Sequence, residues 1–78
     1  MSMPLKYVRF LNDTFIIFSC GINHKHACCG VYVKPESAGF LMIEGDKVLA
    51  YGKSVTLEIK SDPTDTVFFI KIFSKGVN

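Results

Sequence analysis

From Leu5 to Ile59 the apolar residues come in short runs rich in β-branched and aromatic side chains, punctuated by single glycines and prolines and by the Asn12-Asp13 pair. Runs of about four to eight such residues between turn formers read as β-strands, and their number leaves little chain for anything else. Leu5 to Leu11 and Thr14 to Cys20 form a predicted hairpin around Asn12-Asp13. Phe15-Ile16-Ile17-Phe18 is apolar on both faces, which predicts a central strand covered on one side by something other than its own sheet.

Gly30 to Lys34 is a short predicted strand with Val31 and Val33 on one face, closed by a turn at Pro35-Glu36-Ser37-Ala38-Gly39. Phe40 to Glu44 and Val48 to Tyr51 make a second hairpin around Glu44-Gly45-Asp46-Lys47, and Gly52 breaks the ladder. Lys53 to Lys60 has the most regular alternation: Val55, Leu57 and Ile59 on one face, Thr56, Glu58 and Lys60 on the other.

The last segment carries two conflicting signals. Val67 to Phe73 has strand propensity, which would make an all-β chain with residues 66-73 as its last strand. Its flanks instead carry helix punctuation: Asp62 at the N-cap, Pro63 at the first helical position, Asp65 as capping partner, Lys71 and Lys75 near the negative pole, and Gly76 as a stop. Independent boundary signals outweigh propensity, so a helix from Pro63 to Lys75 is expected, with Phe69, Ile72 and Phe73 on its buried stripe. The predicted fold class is α+β and β-rich: an antiparallel meander of five or six strands with one C-terminal helix packed on a face, in a single small domain spanning 1-78.

With 78 residues, one core is all the chain can build. Its composition is 49% hydrophobic and 13% aromatic, more than so small a core needs, which points to apolar surface reserved for a partner or a second copy. Nine Lys and Arg against seven Asp and Glu leave a net charge of +2 without a basic run, an argument against nucleic acid or anionic membrane as partner. No apolar run approaches a membrane span, and the residues after Met1 lack the pattern of a signal peptide, so a cytoplasmic location and reduced thiols are expected.

Both histidines and all three cysteines fall between Cys20 and Gly30. Cys20, His24, His26 and Cys28 are the candidate metal ligands, with zinc the metal such donors suit. In an extended segment His24, His26 and Cys28 would project from one face at intervals of about 6.5–7 Å, so only neighbours could share an ion. Zinc sites usually repeat a ligand pair at a distance, and this chain has a single cluster; no cofactor is therefore expected. A Cys-x-x-Cys redox motif, a nucleophile elbow and a phosphate-binding glycine loop are all missing, and no catalytic residue is assigned.

The functional expectation is a small non-catalytic protein-binding module, self-associating as a homodimer, with His24, Lys25, His26, Tyr32 and Lys34 as candidate partner-binding residues. Two alternatives stand beside it. One is a metal-binding protein built on the Cys20 to Cys28 cluster. The other is a domain binding single-stranded nucleic acid on a platform of Tyr7, Arg9, Tyr32, Lys34, Tyr51 and Lys53.

Overall fold

The first hairpin joins β1 (Leu5–Phe10) to β2 (Phe15–Phe18) through a tight turn in which Phe10 N donates to Thr14 O at 2.8 Å and Asp13 N to Phe10 O at 3.0 Å. Asp13 takes a φ of 62°, a left-handed conformation that Asp tolerates better than most residues. The computed structural model describes residues 4–30, 33–45 and 47–75. Beyond the hairpin it contains α1 (His24–Ala27), β3 (Pro35–Glu44), β4 (Lys47–Tyr51), β5 (Lys53–Ser54), β6 (Ile59–Lys60) and α2 (Pro63–Lys75). The fold is α+β and β-rich: a four-stranded antiparallel sheet, a two-stranded ladder and a C-terminal helix, as the punctuation predicted.

Strand order departs from a continuous meander. It is β2-β1-β3-β4, so β3 returns to lie beside β1 rather than β2. Because β2 and β3 both run antiparallel to β1, they are parallel to each other, and a parallel crossover needs about a dozen residues or more. The segment from Ser19 to Lys34 supplies that length. Phe15–Phe18 is accordingly an edge strand, not a central one. Its two apolar faces arise because both sides of the sheet are covered. Phe15 and Ile17 join Tyr7, Leu41 and Phe69 beneath α2, while Ile16 and Phe18 join Val8, Phe10 and Ala38 on the opposite face.

Two more expectations fail for identifiable reasons. Pro35 to Gly39 is the first half of β3, paired with β1 from Phe10↔Pro35 to Tyr7↔Gly39, and not a turn. Proline is acceptable as the first residue of a strand. Gly39 serves close approach rather than a turn: a Cβ there would stand 2.4 Å from the Tyr51 carbonyl oxygen. Lys53 to Lys60 is likewise not one strand, since Ser54 pairs with Ile59 and residues 55 to 58 form the turn between β5 and β6. Glu58 adopts φ 57° there, and Val55 is 76% exposed while Leu57 and Ile59 pack on the second core cluster. The predicted strand Gly30 to Lys34 falls on Val31 and Tyr32, which lie outside the described residues, as do Asp46 and Gly76.

Helix α2 begins with reciprocal capping. Asp62 Oδ1 accepts from Thr64 N at 2.8 Å, and Asp65 Oδ2 accepts from Asp62 N at 2.9 Å. The hydrogen bonds from Thr64 pull the Asp62 carboxyl below the ordinary aspartate range. One turn further on, Phe69 is fully buried, with Tyr7 edge-on at 5.0 Å and Phe15 at 5.3 Å between ring centres. Truncating such a side chain costs about 3–5 kcal/mol.

Candidate functional site

The cysteine and histidine segment is the first place among the described residues whose side chains chemistry or recognition could use. Asn23 starts α1 by accepting from His26 N at 2.6 Å, and Gly30, at φ 86°, follows its last turn. The bend rotates the two histidines apart. His24 is 3% exposed, with Nε2 2.8 Å from the Gly39 carbonyl oxygen and its ring edge-on to Phe18 and Phe40. A carbonyl only accepts, so Nε2 carries the proton. Burial lowers the His24 pKa below the usual imidazole range, and nearby Lys6 lowers it further, so the ring is neutral at neutral pH.

Lys25, His26 and Cys29 are exposed, Cys20 and Cys28 are half-buried, and burial pushes the Cys28 thiol up. Among the described residues no three His, Cys, Asp or Glu side chains lie close enough to hold one metal ion. Of the candidate partner-binding residues, Lys25, His26 and Lys34 face solvent, His24 does not, and Tyr32 lies outside the described residues. The nucleic-acid platform is not assembled as expected. Tyr7 is fully buried, and Arg9 is turned toward Asp65 at 3.1 Å and Asp13 at 2.9 Å.

The second place is a buried polar cluster where α2 meets the sheet. The register sets Arg9 opposite Ser37 with Tyr7 two residues away, and all three reach the Asp65 carboxylate. Ser37 Oγ donates to Oδ1 at 3.0 Å, Arg9 Nη1 to the same oxygen at 3.1 Å, and the Tyr7 hydroxyl to Oδ2. Burial and the Asp65 carboxylate push the Tyr7 hydroxyl far above its ordinary range. Asp65 is fully buried and Ser37 nearly so, leaving no approach for a substrate. The cluster therefore acts as the helix's anchor, with the Arg9 guanidinium also lying 4.2 Å above the Phe68 ring.

The third place is the margin formed by β3, β4 and α2. Met42 and Leu49 are register partners on the sheet face away from α2, and next to them Glu44 pairs with Lys47. Leu49 is 51% exposed, and on the helix Val67 and Ile70 are 53% and 43% exposed. Met42, Val48, Leu49 and Ile70, with Glu44 and Lys47, line a groove of about 490 Å³ along this margin. The backbone of β4 is less available than its side chains. At Ala50 the amide donates to Thr66 Oγ1 at 3.0 Å and the carbonyl accepts from the same hydroxyl at 3.3 Å, so α2 occupies that stretch of edge.

Compared with family models, with curated proteins and with solved structures, the chain matches none. No helix among the described residues is long and apolar enough to cross a membrane. Sequence reasoning did not find the Asp65 anchor, although Asp65 was marked as a capping residue. It also missed the β3–β4 margin, whose signal was the excess of apolar residues over what one small core holds.

Proposed function

We propose that this chain is a non-catalytic protein-binding module that pairs with a second copy of itself through the β3–β4–α2 margin. The observation that carries the reading is a groove lined by Met42, Val48 and the exposed Leu49 and Ile70 and rimmed by one acid and one base, with exposed Val67 one turn before Ile70 on the helix. An isologous pairing needs a self-complementary patch, and Glu44 beside Lys47 supplies both signs at its border. The net charge of +2 imposes only weak repulsion between copies. Because Thr66 occupies the β4 backbone at Ala50, the copies meet by faces rather than by strand addition.

Complete burial of a Leu, Ile or Val side chain contributes about 1.5–3 kcal/mol, and these three are already about half covered. Six such side chains, three from each copy, give roughly 6 kcal/mol, which the cost of association largely offsets. The net affinity therefore comes from the rest of the groove, Met42, Val48 and the Glu44 and Lys47 rim, and the dimer is weak. Light scattering from low concentration up to about 1 mM protein should show the mass rising from 8.7 kDa toward twice that value. Leu49→Asp with Ile70→Lys should hold it at the monomer mass. A wild-type mass that stays at 8.7 kDa across the whole range refutes the proposal.

A further inference from the structure

On the sheet face away from α2, the covering elements meet where the Lys25 amide donates to Thr56 Oγ1 at 3.1 Å, which ties α1 to the β5–β6 turn. Beside that tie lies a cavity of about 380 Å³, lined among others by Lys6, His24, Phe40, Tyr51, Lys53 and Val55. It is separate from the β4–α2 groove and owes nothing to the pairing of copies. Its volume lies within the range of about 300–1,000 Å³ occupied by small-molecule sites.

Two properties define what would fit. The first is the wall. Phe40 and Tyr51 lie nearly parallel, 27° apart with ring centres separated by 5.8 Å, and His24 stands edge-on to Phe40 at 6.1 Å. Neutral His24 has its Nε2 proton committed to Gly39, so it adds an aromatic edge and no charge. The second is the sign of the rim. The charged side chains among the described lining residues are Lys6 and Lys53, both cationic. Lys6 Nζ donates one hydrogen to the Ile22 carbonyl oxygen at 2.9 Å, which fixes the ammonium and leaves its other two donors without a partner among the described residues. Lys53 sits directly opposite Lys60 in the β5–β6 ladder, and the pair shares a neighbouring hollow with Glu36, Glu58 and Asp62, so Lys53 enters this cavity as a single cation on its rim.

We propose that this cavity binds a small planar aromatic anion, with its ring against Phe40 and Tyr51 and its carboxylate or phosphate between Lys6 and Lys53. Aryl carboxylates and nucleoside monophosphates share that chemistry, and two probes distinguish them: naphthoate and adenosine monophosphate. In amide-resolved NMR titrations to about 5 mM, at least one should give saturable shifts centred on Gly52, Lys53 and Thr56. Naphthylmethanol keeps the ring without the charge, and cyclohexanecarboxylate keeps the charge without the planar ring. Each should bind at least about fivefold more weakly than the aromatic anion. Lys53→Gln, at an exposed position, should weaken binding about threefold or more with the rest of the spectrum unchanged, and Lys6→Gln should add to that loss.

The proposal is overturned if neither anion gives saturable shifts, if the shifts map to the β4–α2 margin, or if the neutral ring binds as well as its anion. Binding of a single-stranded oligonucleotide without binding of the monophosphate would assign the surface to nucleic acid and also overturn it.

Discussion

Replacing Asp65 by Asn tests whether the buried carboxylate holds α2 on the sheet. The side chain is fully buried and accepts four hydrogen bonds: from Ser37 Oγ and Arg9 Nη1 at one oxygen, and from Tyr7 and the Asp62 amide at the other. Asparagine keeps the shape but turns one oxygen into an NH2 group; the hydroxyl on that side can turn to accept from it, while the other partner, the Arg9 guanidinium or the Asp62 amide, is left facing a donor. An orphaned buried donor costs about 1–3 kcal/mol, and Arg9 also loses one of its two anionic partners while keeping Asp13. Asp65→Asn should therefore cost about 2–4 kcal/mol. A chain of this length has roughly 4–12 kcal/mol of total stability, so the variant survives with a melting point lower by about 10 °C or more.

Tyr7→Phe removes one donor and leaves the carboxylate with three, for about 1–2 kcal/mol. Urea denaturation followed by helical circular dichroism measures both variants. The double variant should lose about 1 kcal/mol less than the two single losses combined, because the two residues share one hydrogen bond. An Asp65→Asn protein whose stability stays within about 0.5 kcal/mol of the parent, or losses that add fully, would refute the anchor.

Three other expectations follow from backbone and burial. Gly39→Ala should cost about 3 kcal/mol, since the new methyl would stand 2.4 Å from the Tyr51 carbonyl oxygen, whereas Gly21→Ala, with its nearest neighbour 3.7 Å away, should change the denaturation midpoint little. Glu58→Gly should raise stability by about 0.5–1 kcal/mol, because relief at φ 57° exceeds the added chain entropy of glycine; a lower midpoint would contradict the turn geometry. His24 has a depressed pKa in the folded chain, so the unfolded chain takes up its proton first as the pH falls. Stability is complete above about pH 6.5 and declines below it toward the folded value. His24→Gln keeps a donor for Gly39 without titrating, and the slope of stability against pH should flatten across that window; an unchanged slope would place the titration elsewhere.

The parts legible in the sequence were those decided by neighbours along the chain. Asp62, Pro63 and Asp65 marked the start of α2 because capping is satisfied within one turn, and Asn12-Asp13 marked the first hairpin for the same reason. Strand order was not legible, since nothing local in Phe15–Phe18 distinguishes an edge strand covered on both faces from a central one. Val55, Leu57 and Ile59 alternate as a strand would, yet Glu58 accepts a left-handed conformation and the segment folds back. The site readings divide in the same way. Asn23 carried a local cap signal that could have revealed α1 and turned His24 inward. The convergence of Tyr7, Arg9 and Ser37 on Asp65 depends on the register between β1 and β3, which only the assembled sheet defines.

The hydroxyl of Thr66 gives α2 a second duty as guard against misassembly. While the helix is seated, the Ala50 amide and carbonyl are occupied; when it lifts away, both become available together with the apolar ladder Phe40 to Ile43 and its partner Val48 to Tyr51. Such a short, low-charge, β-prone ladder with an uncovered border is a template for ordered aggregation. The helix also follows β4 in chain order. During synthesis the ladder exists before its guard does, so the interval between completing β4 and seating α2 is when the chain is most exposed to clumping.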